Sequence, residues 1–289
     1  MRRVRRLAPL AAALALVAAP AAQAQDGGGM SAPDFSEPCP AVYPGDDAAS
    51  ERIARWMARG AADRGLPHEL PVMAGLVESG LHNLGGTSFA GYFGMSRALN
   101  TGDYHGFRRY PDLQLRWFAD TAILVRQRRV AEGRPDPAAD ESTYGSWIAD
   151  VERPARQYRT RYQPRLEEAR SLIAGKCNPP SAEDTTAPRL RVRVATTQQP
   201  LSTGGIALRA RCPDHDCLVG TTVRIGDTLR RAAAREPASS GYTPLVVRVP
   251  RAVRRDLRQG REVRARVTAI AADNAANTTA RHRLVTLRG

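Results

Sequence analysis

The residue with the clearest chemical potential is Glu78, which ends an apolar run in the segment VMAGLVESGLHNLGG, residues 72–86. Apolar residues at helical spacing predict a helix that buries one face, with Glu78 on the adjoining face in the last turn. The negative end of the helix dipole and the apolar neighbours both disfavour an ionised carboxylate there. A carboxyl group that keeps its proton is what general-acid cleavage of a glycosidic bond requires. Glu78 is therefore a candidate general acid; the alternative is an ordinary exposed glutamate at a fraying helix end.

The chain around Glu78 is predicted to be helical on both sides of a loop at residues 82–110. Pro67 and Pro111 mark helix starts, and Gly80 and Gly175 mark helix ends. This half of the chain is predicted to be all-α. The predicted helices cover residues 47–65, 67–79, 111–131, 142–151 and 154–174.

A second acid for Glu78 is not evident from the sequence. Most glycosidases pair the general acid with another carboxylate at a defined separation. Asp103, in NTGDYHG, is the best-placed acidic loop residue, but a turn-forming role is favoured for it. The sequence therefore offers one acid without a convincing partner.

Past residue 188 the apolar spacing changes from helical to a period of two. Short stretches of alternating apolar and polar residues, many of the polar ones arginine, predict an antiparallel β-sandwich. The phrases DTTAP and AADNAANTTA in this half resemble bacterial immunoglobulin-like repeats, over residues 184–289. The predicted fold class is thus multidomain, an all-α domain followed by a small all-β immunoglobulin-like sandwich. The predicted boundaries are a signal peptide at 1–24, an extended segment at 25–46, the helical domain at 47–177, a linker at 178–188 and the β domain at 189–289.

The N-terminus predicts export, because MRRVRR is followed by an apolar run and by the small-x-small site Ala22-Gln23-Ala24. The expected location is the cell wall or the extracellular space, with no stable membrane insertion.

The net charge of +14 is unevenly distributed: residues 186–289 hold 20 arginines against seven acidic residues, a net of +13. This charge indicates attraction to anionic cell-wall polymers, the alternative being a solvated surface. Nucleic acid is not expected as a partner of an exported chain with few aromatic residues.

Four cysteines in an exported chain favour two disulfides. Three pairings are open, and the spacing suggests Cys212 with Cys217 and Cys39 with Cys177. A metal site in CPDHDC is less favoured than a disulfide clip, because one Cys-x4-Cys without a second ligand pair is weak support for zinc. No metal and no cofactor are predicted.

The order of motifs over residues 48–174 resembles the soluble lytic transglycosylase and goose-type lysozyme superfamily. Glu78-Ser79-Gly80 ends a helix, and a Gly/Ser-rich loop then leads to Gly91-Tyr92-Phe93-Gly94-Met95. Residues 112–118 match the family's next core helix, and WIADVERPARQYRTRY, residues 147–162, matches its closing helix pair. Two departures concern saccharide binding: Gly94 stands where the family usually has glutamine, and Trp147-Ile148-Ala149-Asp150-Val151 replaces the common Ala-Tyr-Asn-Ala-Gly phrase.

The resemblance implies a lysozyme-like domain whose single catalytic residue is Glu78. Ser79 is expected to bond the carboxylate or a sugar, or else only to cap the helix. Tyr92 and Phe93 are expected to line the groove or to pack in the core. Tyr158 and Tyr162 lie four residues apart, and Tyr158 is favoured as the one that faces the groove. The full substrate-binding set predicted in this way is Ser79, Gly91, Tyr92, Phe93, Met95 and Tyr158.

The function implied by the resemblance is cleavage of the β-1,4 bond between N-acetylmuramic acid and N-acetylglucosamine in peptidoglycan. Glu78 would protonate the bridging oxygen and then, as a base, activate the sugar's 6-hydroxyl or water. The first route makes the protein a lytic transglycosylase, and the second makes it a lysozyme-type hydrolase. The alternative is a non-catalytic wall-binding protein with a degenerate lysozyme-like domain, which Gly94 in place of glutamine favours.

Overall fold

Helices occupy the first part of the chain, where apolar residues recur at helical spacing. The computed structural model describes residues 39–173, 185–213, 217–236 and 241–289. The predicted signal peptide and most of the predicted extended segment and linker therefore lie outside the described residues. The helices of this part are α1 (Ser50–Ala62), α2 (Glu69–Glu78), α3 (Pro111–Ala131), α4 (Tyr144–Glu152) and α5 (Leu166–Ile173).

The five helices enclose one apolar core built from large side chains. Trp56 of α1 and Trp147 of α4 are almost fully buried in it. The indole N–H of Trp147 donates to the carbonyl oxygen of Ala122 on α3 at 3.0 Å, so this buried donor is satisfied. Phe93 stacks on Phe118 of α3 with ring centroids 4.7 Å apart. The loop between α2 and α3 is thus tied to the core through its aromatic residues.

That loop contains a short hairpin which the helical pattern did not predict. Strands β1 (Phe89–Ala90) and β2 (Met95–Ser96) pair antiparallel, with Ala90 opposite Met95. Residues 91–94 form the turn of this hairpin, and Gly91 and Gly94 both have positive φ angles there. The hairpin lies beside the end of α2, and it therefore belongs to the surroundings of Glu78.

The second part of the chain forms two sheets around a separate apolar core. One sheet has five strands in the order β4-β10-β9-β6-β7, with β4 parallel to β10 and the other pairs antiparallel; the other has three antiparallel strands in the order β3-β5-β8. Two short helices, α6 (Pro200–Thr203) and α7 (Arg251–Arg258), interrupt the strands. The strands are β3 (Arg191–Arg193), β4 (Thr197–Gln198), β5 (Ile206–Arg211), β6 (Leu218–Ile225), β7 (Thr228–Arg235), β8 (Thr243–Val247), β9 (Val263–Ala272) and β10 (Thr278–Leu287).

The prediction of an all-α domain followed by an immunoglobulin-like sandwich is wrong. Helices and strands are mixed in both parts, and helix α3 packs directly on the outer face of the five-stranded sheet. Gln127 of α3 donates from its buried Nε2 to the carbonyl oxygen of Ala272 at 3.0 Å. A Cβ placed on Gly220 of β6 would lie 2.1 Å from the carbonyl oxygen of Ala131, so the two backbones touch. Strand β6 is consequently buried on both faces along Leu218–Val223, instead of alternating.

The disulfide predicted between Cys212 and Cys217 is confirmed. Cys39 is also disulfide-bonded, while its predicted partner, Cys177, lies outside the described residues. Across the described ranges, no helix combines the length and the apolar character needed to cross a membrane.

Candidate functional site

Glu78 is the last residue of α2, and its side chain is only partly exposed. The helix ends there because the chain turns at Gly80, which has a φ of +63°. The hydroxyl of Ser79 donates to the carbonyl oxygen of Gly75 at 3.0 Å, and the amide of Leu81 donates to the same oxygen at 3.1 Å. Ser79 therefore closes the helix end, which is one of the two roles expected for it.

Tyr162 holds one oxygen of the Glu78 carboxylate. Its hydroxyl donates to Oε1 of Glu78 at 2.6 Å, and its ring is almost completely buried. Burial, followed by the hydrogen bond to Glu78, raises the pKa of Tyr162 far above its ordinary value. The tyrosine therefore keeps its proton and acts as a fixed donor to Oε1, whereas Oε2 of Glu78 is not bonded to it.

A second carboxyl group, that of Glu152, lies close enough to interact electrostatically with both Glu78 and Tyr162. Glu152 is the last residue of α4; in the part of the chain that the structure describes, its Oε1 is shielded from solvent and has no hydrogen-bond partner. Burial raises the pKa of Glu152 well above its ordinary value, and the neighbouring Glu78 carboxylate adds to the rise. Glu152 is therefore a carboxylic acid that keeps its proton to a higher pH than an exposed glutamate does.

The raised pKa of Glu152 predicts a pH-dependent cost to folding. Between the ordinary pKa of about 4.5 and the raised one, the folded protein binds more protons than the unfolded chain, so stability falls as pH rises, by up to about 1.4 kcal/mol per pH unit. We expect Glu152→Gln to remove this fall. Urea denaturation of both proteins between about pH 4 and pH 8 measures it, and a stability difference that stays constant over this range would contradict the assignment.

Gly94 borders the free oxygen of Glu78. A Cβ placed on Gly94 would lie 3.3 Å from Oε2, and Gly94 has a φ of +55°. A side chain at this position would thus crowd Oε2 of Glu78, and most residues would also be strained in this backbone conformation. The departure from the family's glutamine therefore leaves open space in front of the carboxyl group.

Gln114 fixes the hairpin turn that carries Gly94. Its side chain is fully buried on α3, where Oε1 accepts from the amide of Tyr92 at 2.9 Å. Its Nε2 donates to the carbonyl oxygen of Phe107 at 2.9 Å and to Oδ1 of Asn83 at 3.1 Å. The amide group thus joins three segments of the long loop to α3.

Most of the other residues predicted to bind substrate are placed in the core. Tyr92, Phe93 and Met95 are buried, so whatever they contribute to a substrate comes through the backbone or through support of the turn. The Tyr92 hydroxyl is 2.9 Å from that of Tyr43. Tyr158 is 42% exposed and does not contact Glu78; Arg161 lies over its ring at 4.1 Å.

Sequence reasoning missed Glu152 and Gln114, and it considered Tyr162 but favoured Tyr158 over it. All three lie in segments that carry the family resemblance, but no short-range pattern connects them to Glu78.

Asp103, the acid considered as a partner, is 81% exposed in its side chain and lies 4.0 Å from Arg116. Among the described residues, no group of three or more metal-ligating side chains was found.

Comparison with known proteins does not assign this chain to a family. No protein-family model matches it, and no curated protein matches it. A solved structure of murine CRIg matches with a TM-score of 0.21 and 12% identity, over 36% of this chain and 98% of that chain. A similarity of this size supports no argument about fold or function.

Proposed function

We propose that the protein is an exported enzyme that cleaves the β-1,4 bond between N-acetylmuramic acid and N-acetylglucosamine in peptidoglycan. The observation that carries the proposal is the setting of Glu78: a buried tyrosine holds Oε1 at 2.6 Å, and Gly94, which has no side chain, borders Oε2. The substrate class comes from the resemblance of residues 48–174 to lytic transglycosylases and goose-type lysozymes.

In the proposed reaction, Oε2 of Glu78 gives its proton to the bridging oxygen as the glycosidic bond breaks. The N-acetyl group of the muramic acid assists at the anomeric carbon. The Glu78 carboxylate then accepts a proton from the sugar's 6-hydroxyl, which closes a 1,6-anhydro ring, or from water, which gives a reducing end. Tyr162 stays protonated throughout and keeps the carboxyl group in one orientation.

Glu152 supports this cycle because it prevents a second full charge beside Glu78. Two carboxylates in one buried site cannot both ionise easily, and their protons are coupled. With Glu152 neutral, Glu78 can lose its proton to the leaving group and regain one without facing an adjacent anion. In this proposal Glu152 therefore acts through Glu78 and does not touch the substrate.

The experiment that tests the proposal is digestion of purified peptidoglycan, with the soluble fragments analysed by mass spectrometry. Muropeptides with 1,6-anhydro ends indicate the transglycosylase route, and reducing ends indicate the hydrolase route.

The second candidate, a wall-binding protein without turnover, is favoured by Gly94 in place of the family's glutamine. Co-sedimentation with the wall without any soluble fragment would support that candidate and refute the enzyme.

Tyr162→Phe should lower kcat about tenfold with little change in KM, because the carboxyl group loses the donor that orients it while the phenyl ring occupies the same space. Tyr110→Phe is the matched control, since this tyrosine is 55% exposed and is not among the residues predicted to bind substrate. Turnover of soluble glycan fragments by both variants measures the effect. Equal rates for Tyr162→Phe and the wild type would show that the hydrogen bond does not position the acid.

A further inference from the structure

A cavity of about 490 Å³ opens between the two sheets of the second part of the chain. It lies where two edge strands meet, β7 of the five-stranded sheet and β8 of the three-stranded sheet, and it extends to the first turn of α7. Leu245 and Val249 give it an apolar floor. Six arginines line it: Arg230, Arg231, Arg235, Arg248, Arg251 and Arg254.

The positive charge of this cavity is not balanced by ion pairs among the residues that the structure describes. Among the described residues that line it, none is acidic, and the six arginines enter none of the ion pairs found in the described ranges. Two acidic residues close in sequence to α7 form ion pairs with arginines outside the cavity. Asp256 pairs with Arg261 at 3.1 Å, and Glu262 pairs with Arg288 at 2.7 Å. Guanidinium groups held around one cavity repel each other, and a bound anion removes that repulsion.

Five of the six arginines belong to strand β7 or to helix α7, and Arg248 directly follows strand β8. Pro250 precedes α7 and offers no side-chain acceptor to the first N–H groups of the helix. These groups and the positive end of the helix dipole therefore add to the positive potential at the cavity's edge.

The chemistry of the lining selects the kind of anion. Planar guanidinium groups bind phosphate through two parallel hydrogen bonds, and several of them around one cavity match a ligand with several charges. The described lining includes no aromatic side chain. Proteins that bind single-stranded nucleic acid stack the bases on aromatic rings, so this cavity lacks what a nucleobase requires. The volume is that of an ordinary ligand site.

We propose that the cavity between β7, β8 and α7 binds closely spaced phosphate groups of an anion without bases. The ligand is either a free oligophosphate or a stretch of a phosphodiester polymer, since both present the same groups to the arginines. This site is separate from Glu78 and goes beyond the proposed peptidoglycan cleavage.

The test is calorimetric titration of the full chain at about 0.15 M salt, where exposed charges are screened beyond about 8 Å. The probes are tripolyphosphate, poly(glycerol phosphate) and a single-stranded oligothymidine. The cavity variant is Arg248→Gln/Arg251→Gln/Arg254→Gln. The control variant is Arg191→Gln/Arg264→Gln/Arg281→Gln, which removes the same charge at exposed strand positions outside the cavity. All six positions are exposed, and thermal unfolding of each variant verifies that it is folded.

We expect at least one phosphate probe to bind, and the cavity variant to bind it at least about 30-fold more weakly, because charge-assisted bonds are lost. The control variant should bind within about threefold of the wild type. Binding of tripolyphosphate alone identifies a free oligophosphate, and tighter binding of poly(glycerol phosphate) identifies a polymer. Equal weakening of the two variants, no binding of either phosphate probe, or tighter binding of oligothymidine would overturn the proposal.

Discussion

Glu78→Gln is expected to lower the release of muropeptides from peptidoglycan by at least about 1,000-fold, because glutamine has no proton to give to the bridging oxygen. The substitution preserves shape, and the amide can still accept the hydrogen bond that Tyr162 donates to Oε1. Binding to the insoluble wall should therefore be retained while cleavage is lost. Mass spectrometry of the soluble fraction and co-sedimentation of the protein measure the two properties separately.

Asp103→Asn is the matched control for this loss, since it also converts an acid to its amide. The side chain of Asp103 is 81% exposed in the loop before α3, and the variant should cleave at the wild-type rate. Glu78→Asp adds a second comparison, because the shorter side chain keeps the acid but withdraws it from Tyr162. Fragment release by Glu78→Gln at the wild-type rate would exclude Glu78 as the acid, whatever the other variants do.

Most of the helices were predictable from local signals, but the helix predicted over residues 154–174 is α-helical only over Leu166–Ile173. Pro111 begins α3 as expected, and Gly80 follows the end of α2. The strands of the second part were predictable for the same local reason, the alternation of apolar and polar residues. The fold class was not predictable in this way. Helix α3 reaches the five-stranded sheet through small residues such as Ala131 and Gly220, which carry no period and no charge signal.

In the candidate site, too, a residue could be identified from its own segment, but its partners from distant segments could not. Glu78 was identified from its own helix end, whereas Tyr162 is 84 residues away and Glu152 is on another helix. The preference for Tyr158 over Tyr162 assumed a continuous α-helix, in which residues four apart share a face. The segment is instead a 3₁₀ helix over Arg156–Arg161. With three residues per turn, residues four apart point in different directions.

Gly91→Ala should destabilise the protein by about 2–4 kcal/mol. Gly91 has a φ of +82°, a conformation that costs a residue with a side chain about 1 kcal/mol or more. The added Cβ would also lie 2.4 Å from Oε1 of Gln114. That side chain cannot move away without breaking its bonds to Tyr92, Phe107 and Asn83, and the turn would have to shift instead.

Gly85→Ala is the matched control, because a Cβ at Gly85 in the same loop would meet no atom within 4 Å, and Gly85 has no positive φ. Thermal and urea unfolding should show a clear loss of stability for Gly91→Ala and a change within about 0.5 kcal/mol for Gly85→Ala. Since the turn from Gly91 also carries Gly94 beside Oε2 of Glu78, the folded fraction of Gly91→Ala should cleave peptidoglycan more slowly than Gly85→Ala. Equal stability of the two variants would mean that Gln114 does not hold the turn. Other residues would then have to position the turn beside the Glu78 carboxyl group.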